Sequence, residues 1–219
     1  MAGKVFFSVT MSLDGFIAPE ERTVDSDVQR GMAQWMELQQ WMFPQRFIRE
    51  NLKLGEGGEE GRDNDIVRGT FERTGASVMG KRMFDAGEHA WPEEAPFHTP
   101  VFVVTHTKRD PWERPGGTTF QFVNDGIEPA LGQAREAAGD RDVRIAGGGA
   151  TILEYVNTGL VDEFTIALSP VLFGSGVRLF EGVDAGRVAL EPVHAEHSPR
   201  VTHLTYAVQE RKLLTLSSG

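Results

Sequence analysis

The residues best suited to chemistry in this 219-residue chain lie in Val143-Arg144-Ile145-Ala146-Gly147-Gly148-Gly149-Ala150-Thr151-Ile152-Leu153-Glu154-Tyr155-Val156. The pattern is a short buried strand that runs through three glycines directly into a helix. Gly147, Gly148 and Gly149 carry no Cβ, so a ligand can reach main-chain N–H groups. Ala150 and Thr151 follow where the unpaired N–H groups and positive dipole end of a helix favour an anion. A diphosphate fits such a cradle, and a diphosphate points to a nucleotide. The plain alternative is a glycine-rich turn without a ligand.

Two other strand ends share this character. Ser77-Val78-Met79-Gly80-Lys81-Arg82-Met83-Phe84 is again strand, glycine and then cations, and Thr105-His106-Thr107-Lys108-Arg109 adds hydroxyls and two more cations. In open α/β sheets, ligands bind just beyond the carboxyl ends of strands. A charge run after a strand is usually a solvated loop, but three such ends together favour a nucleotide. The cations beyond the cradle would suit the 2′-phosphate that separates NADP from NAD.

The elements that must position these residues alternate between strand and helix. Lys4 to Ser12 is a β-rich run ended by the turn Asp14-Gly15; Ala76 to Met79, Val101 to Thr105, Phe120 to Val123 and Val143 to Ala146 read as further strands. Asp125 with Glu128 forms a capping-box pattern for the helix before the glycine run, with Gly139 as its stop. Gly159 ends the helix after the glycine run. Phe164 to Phe173 reads as a strand carrying Pro170, and Ala189 to Glu196 with Val201 to Gln209 as a hairpin turned at Ser198-Pro199-Arg200. Parallel units with an antiparallel end give an α/β domain with a mixed sheet.

One segment breaks this rhythm. Ser26 with Gln29 opens a helical stretch through Met32, Trp35, Met36, Trp41, Met42 and Phe43, interrupted by Pro44; Gln45 to Leu54 is a second amphipathic piece. The acidic run Gly55-Glu56-Gly57-Gly58-Glu59-Glu60-Gly61 then reads as mobile surface. The insertion is either a lid or wall over a substrate pocket, or an extra helix that packs on the core or on a dimer partner.

Composition excludes several classes. With 32 acidic and 22 basic residues and a net charge of −10, the chain lacks the basic surface that duplex nucleic acid or an anionic membrane needs. There is no cysteine, so neither disulfide nor thiolate chemistry is available. Ser8, Thr10 and Ser12 interrupt the first apolar run, which therefore reads as a strand and not as a signal peptide. No apolar stretch is long enough to span a bilayer. A cytoplasmic enzyme built as a single domain over 1–219, with a helical insertion at about 24–66, is the expected class.

Ser8-Val9-Thr10-Met11-Ser12-Leu13-Asp14-Gly15-Phe16-Ile17-Ala18 resembles the first strand and loop of the dihydrofolate reductase-like superfamily. The branch is the reductase domain of the bifunctional riboflavin-pathway deaminase-reductase with its stand-alone bacterial relatives. Val78 to Phe84 resembles the cofactor segment of that branch and Ile145 to Ile152 its phosphate loop. Leu160-Val161-Asp162-Glu163-Phe164 and Ser169-Pro170-Val171-Leu172-Phe173-Gly174-Ser175-Gly176 also match it, so the likeness spans most of the chain in order.

The resemblance implies a three-layer α/β/α fold with a mixed, mostly parallel sheet and a C-terminal antiparallel hairpin, in a homodimer that binds NADPH. It places Gly80, Lys81 and Arg82 at the adenosine phosphates, Thr105, His106 and Thr107 at the adenine-ribose end, and Gly147 to Thr151 at the diphosphate. Ser12, Asp14 and Gly15 would border the nicotinamide. Hydride would pass to a C=N or C=O bond of a small pterin- or pyrimidine-like substrate. Asp14 would polarise or position that substrate, or cap its own turn with Gly15. Folate reductases keep a carboxylate on an early helix, for which Glu37 is the nearest candidate here, and no cationic cluster for a substrate phosphate stands out.

Other chemistries fit less well. His194, His197 and His203 cluster on the predicted hairpin, but positions three apart on a strand point to opposite faces, so no shared metal is expected. No serine sits in a nucleophile elbow, no deaminase zinc motif is present, and the glycine run comes too late for a dinucleotide-binding fingerprint of the usual spacing. Two functional classes remain: an NADPH-dependent reductase, or an NADP(H)-binding sensor or scaffold that reuses the fold without robust catalysis.

Overall fold

The structure is a computed structural model that describes residues 3–20 and 25–210, the side chains of 25–28 and 210 excepted. The strands are β1 (Val5–Ser12), β2 (Phe16–Ala18), β3 (Thr74–Gly80), β4 (Pro100–Val104), β5 (Trp112–Glu113), β6 (Thr119–Val123), β7 (Asp142–Gly147), β8 (Glu163–Ser169), β9 (Val177–Arg178), β10 (Val188–His197) and β11 (Thr202–Glu210). The helices are α1 (Asp25–Leu38), α2 (Arg46–Asn51), α3 (Arg62–Arg73), α4 (Lys81–Glu88), α5 (Ile127–Ala138) and α6 (Gly149–Asn157).

Nine strands form one sheet in the order β10-β11-β8-β1-β7-β3-β4-β6-β5, and β2 pairs with β9 in a separate antiparallel ribbon. The five central pairings, β8–β1–β7–β3–β4–β6, are parallel; the β10–β11 hairpin joins antiparallel through β8, and β5 closes the other edge. Alternation along the central strands divides the core between two layers of helix. Val5, Phe7, Val78, Val143 and Ile145 face α5 and α6, where Leu131, Ile152 and Tyr155 fill the layer. On the opposite face, Met79, Val101, Val103 and Phe120 pack with Phe84 of α4, and Trp41, Ile48 and Val67 pack on Ala167. This is the three-layer α/β/α arrangement with a mixed, mostly parallel sheet. Among the described residues no helix is long and apolar enough to cross a membrane.

Several expectations need correction. The Asp125 capping box does not form: the N-cap of α5 is Gly126 at φ 98°, with no side-chain cap hydrogen bond. Strand β8 stops at Ser169, since Pro170 has no N–H to continue a ladder. α1 ends at Leu38, which leaves Trp41, Met42 and Phe43 in turns, and α2 covers only part of the Gln45–Leu54 piece. The Ser26 side chain lies outside the described residues. The acidic loop is pinned rather than loose: Glu59 bonds the backbone of Pro44 and Arg46, and its carboxylate meets Arg200 at 2.6 and 2.7 Å. A Cβ on Gly58 would lie 2.7 Å from the Arg46 Cα, so the chain packs there as closely as glycine allows.

Candidate active site

The three glycine-bearing strand ends differ in how far they converge. β3 and β7 are neighbours, and each runs straight into a helix, α4 and α6 respectively. Both N-caps are glycines, Gly80 and Gly148, and neither helix start has a side-chain cap. The two starts touch: a Cβ on Gly80 would lie 2.3 Å from Thr151 Oγ1 and 3.9 Å from the Gly148 nitrogen. A Cβ on Gly148 would meet nothing within 4 Å, so the mouth of this junction is open. Two uncapped helix N-termini thus point their free N–H groups and positive dipole ends at one spot. Gly147, at φ 139°, lies close under Met83, and the Gly147–Gly148 peptide is cis.

The cations around this junction are less available than their number implies. Lys81 opens α4 and holds Asp85 at 2.6 Å, an exposed pair one helical turn apart. Arg109 is bound to Glu88 at 2.6 Å and lies over the Phe84, Trp112 and Phe122 rings. Arg82 and Lys108 are exposed. Thr105 is buried and shapes its loop, accepting the Thr107 N–H at Oγ1 and the Asn124 amide at its carbonyl, while His106 and Thr107 are exposed.

At the end of β1, Ser12 and Asp14 are tied into the fold. Ser12 Oγ donates to Asp14 Oδ1 at 2.6 Å and accepts the Phe16 N–H at 2.9 Å. The Asp14 carboxylate also accepts the Phe173 and Gly174 N–H groups, the latter at 2.7 Å. Partial burial pushes this carboxyl up, but the hydrogen bonds from Ser12, Gly174 and Phe173 outweigh it and hold the group down at about 2. Asp14 is therefore a fixed anion that latches the turn at Gly15 onto the segment after β8, and it has no proton to give at neutral pH. A carboxyl depressed below its ordinary 3.8 contributes stability above that pH and loses it as the pH falls towards about 2. We expect Asp14→Asn to destabilise the protein by about 1–2 kcal/mol at pH 7. Denaturant melts of both proteins should show the difference shrinking between pH 4 and 2; a difference that stays constant would show that charge is irrelevant to the latch.

The sheet itself opens at the same end. The β1–β7 ladder stops at Phe6–Arg144, whereas the β1–β8 ladder continues to Ser12–Ser169. Beside this opening the insertion is anchored through buried polar groups. Trp41 Nε1 donates to Thr10 Oγ1 at 3.0 Å, which donates to Gln39 Oε1 at 2.8 Å, and the Trp41 ring lies edge-on to His203. His203 Nε2 meets Asp63 of α3 at 2.8 Å, both side chains being buried. The insertion is thus a packed layer with an apolar outer side: Trp35, Met42 and Phe43 are partly exposed, and Met32 and Met36 are exposed. Glu37 is exposed and is not the buried polar group of this layer; Gln39 is. His194 is exposed and meets Glu196 at 3.2 Å, whereas His203 is buried against Asp63.

The groups that sequence reasoning passed over are Thr10, Gln39, Asp63 and Arg144. Only Arg144 carried a visible signal, a full charge in the middle of an otherwise apolar strand. Two cavities, of about 180 and 400 Å³, lie elsewhere, between α6 and the segment from Phe180 to Leu190.

The comparisons agree with this arrangement. YyaP of Bacillus subtilis (strain 168) is 34% identical over 86 residues, which span 39% of this chain and 45% of YyaP, so under half of that relative is matched. The structure of a riboflavin biosynthesis protein from Shewanella sp. PV-4 superposes with a TM-score of 0.63 at 23% identity, covering 94% of this chain and 99% of that one. The Thermotoga maritima diaminohydroxyphosphoribosylaminopyrimidine deaminase/5-amino-6-(5-phosphoribosylamino)uracil reductase gives 0.58 at 15% identity, covering 94% of this chain and 56% of that one. Dihydrofolate reductase from Enterococcus faecalis, complexed with NADP(H), gives 0.52 at 14% identity, covering 97% and 99%. These likenesses show the fold, and the match of residues 3–204 to a family shows membership: the chain belongs to the RibD C-terminal domain family.

Proposed function

We propose that this protein is an NADPH-dependent reductase that transfers a hydride to a C=N or C=O bond of a small pterin- or pyrimidine-like substrate. Family membership supports a reductase-type function. The observation that carries the cofactor reading is the meeting of two uncapped helix starts at Gly80 and Gly147–Thr151. Such a junction fits a diphosphate without rearrangement: its donors are backbone, and a Cβ at Gly80 would fill it.

In this reading the N–H groups of Gly149, Ala150 and Thr151 hold the diphosphate. Lys81 and Arg82 lie beside the adenosine phosphates, and the exposed Lys81–Asp85 pair is weak enough to exchange Asp85 for a phosphate. Thr105, His106 and Thr107 border the adenine-ribose end. NADPH, when bound, supplies the hydride. Asp14 and Ser12 hold the turn at Gly15 against the opening between β1 and β7, so that the reacting ring meets a fixed wall. The aromatic wall from the insertion excludes water from that side. Since Asp14 stays ionised, the proton comes from water. The family resemblance implies a homodimer, to be checked by light scattering.

The test is a paired titration with NADPH and NADH, followed by tryptophan quenching and thermal shift. We expect NADPH to bind at least tenfold more tightly than NADH, and bound NADPH to be oxidised by members of a panel of pterins, pyrimidines and small carbonyls. Binding without any turnover would favour the sensor or scaffold alternative. Binding of neither cofactor would sink the cofactor reading.

A further inference from the structure

Strand β7 has parallel neighbours on both sides and helices above and below, so both its faces should be covered. Only one is. Val143, Ile145 and Gly147 are buried towards α5 and α6, whereas Asp142, Arg144 and Ala146 remain partly exposed on the other face. Ser8, on the next strand, is partly exposed as well. A crevice therefore runs along β7 between α3, which offers Phe71, and α4, whose Met83 packs at Ala146.

Arg144 lies in this crevice, level with Phe6 and Ser77 in the sheet register. Its guanidinium carbon is 4.9 Å from the centroid of the Phe71 ring. Its Nε is sealed from solvent with no hydrogen-bond partner. The nearby acids serve other cations: Asp142 and Glu163 both bind Arg73, and Glu163 also binds Lys4. Burial without an anion pushes the Arg144 guanidinium down to about 10. A chain with ten more acids than bases has no shortage of carboxylates, yet among the described residues none pairs with Arg144. An uncompensated charge in such surroundings is costly and is retained only where something else answers it.

We propose that Arg144 forms the floor of the substrate cleft and binds a carboxylate carried by the substrate. The inference rests on the reductase reading above and names the substrate class of that site. The chemistry favours a planar monoanion. A guanidinium flat beside an aromatic ring presents a fork that matches a carboxylate with two parallel hydrogen bonds. A phosphate dianion calls for several cations or a helix start; the other cation here, Arg73, lies over the Phe6 ring but is already bound to Asp142 and Glu163. Arg144 is three residues from Gly147, about 10 Å along the strand.

Benzoate, phenyl phosphate and benzamide, titrated calorimetrically into the full chain with and without NADP+, test this in wild type, Arg144→Met and Arg144→Lys. We expect benzoate to bind wild type at least tenfold more tightly than benzamide. Arg144→Met should lose that preference and melt at a higher temperature than wild type, because it removes an unpaired buried charge; Arg144→Lys should keep part of the preference. A merely structural arginine would give a lower melting temperature and no change in anion preference. Equal binding of benzoate and benzamide to wild type, or a benzoate preference that survives in Arg144→Met, overturns the proposal. Phenyl phosphate binding more tightly than benzoate overturns the carboxylate assignment. Failure of NADP+ to bind sinks the reductase reading instead, and the anion preference measured without cofactor still decides the role of Arg144.

Discussion

Gly80→Ala should weaken NADPH binding by at least thirtyfold, about 2 kcal/mol, while leaving the backbone conformation allowed. Gly80 has φ −79° and ψ 153°, values any residue adopts, so alanine introduces no strain of its own. What it introduces is a methyl group 2.3 Å from Thr151 Oγ1 and 3.5 Å from Thr151 Cβ. The threonine is short and branched, so relief requires the start of α6 to move away from β3, and the two N-termini then no longer address one phosphate group. Thr151→Ala removes the nearest atom, and the double variant should recover much of the loss. The resulting coupling energy would be about 1–2 kcal/mol. Calorimetric titration of the four proteins decides the matter: Gly80→Ala binding NADPH as wild type does would show that the junction is not the cradle.

The largest stability effect is expected at Trp41. This side chain is 5% exposed, packs with Ile48, Val67, Ala167 and Val201, donates to Thr10 and lies edge-on to His203. Trp41→Ala should cost about 3–5 kcal/mol, a fall of roughly 10 °C in melting temperature for a domain of this size. Trp41→Phe keeps most of the packing and loses the indole donor, for about 1 kcal/mol. NADPH affinity should change little in either variant, because the phosphate junction stands on β3 and β7 and the insertion on β1, β8 and β11. A Trp41→Ala protein within 1 kcal/mol of wild type would show that the insertion is only loosely attached. Equal loss of cofactor affinity and stability would show that the two halves of the site are one unit.

The glycine junction at the ends of β3 and β7 was legible because its signal is local. Three glycines between an apolar strand and a helix must bring backbone N–H groups to the surface at the strand end, and the structure places Gly147 to Thr151 there. The side built by the insertion was less legible because long-range packing builds it. Helix α3 escaped notice since it begins after Gly61 without a side-chain cap, and its buried first turn is polar, with Asp63 and Asn64 turned inward. That pattern hides the apolar periodicity by which helices are read. Asp63 is buried because His203, 140 residues later, answers it. Asp125 was read as a cap on spacing alone, yet Gly126 at positive φ takes the capping position. The small β2–β9 ribbon was invisible for another reason: two- and three-residue strands carry no period to detect.

The place of β1 in the sheet sets the order in which this chain becomes a protein. β1 precedes its neighbours β7 and β8 by most of the sheet's other strands; Lys4 at its start and Glu163 at the head of β8 are 159 residues apart. At a synthesis rate of 5–20 residues per second, the run Val-Phe-Phe-Ser-Val-Thr-Met waits roughly 8–30 s for its partners. No N-terminal half can fold ahead of the rest, because the middle of the sheet is missing until β8 leaves the ribosome. Chain termination before β7 therefore leaves β1 without either neighbour, and termination between β7 and residue 163 leaves its β8 edge open.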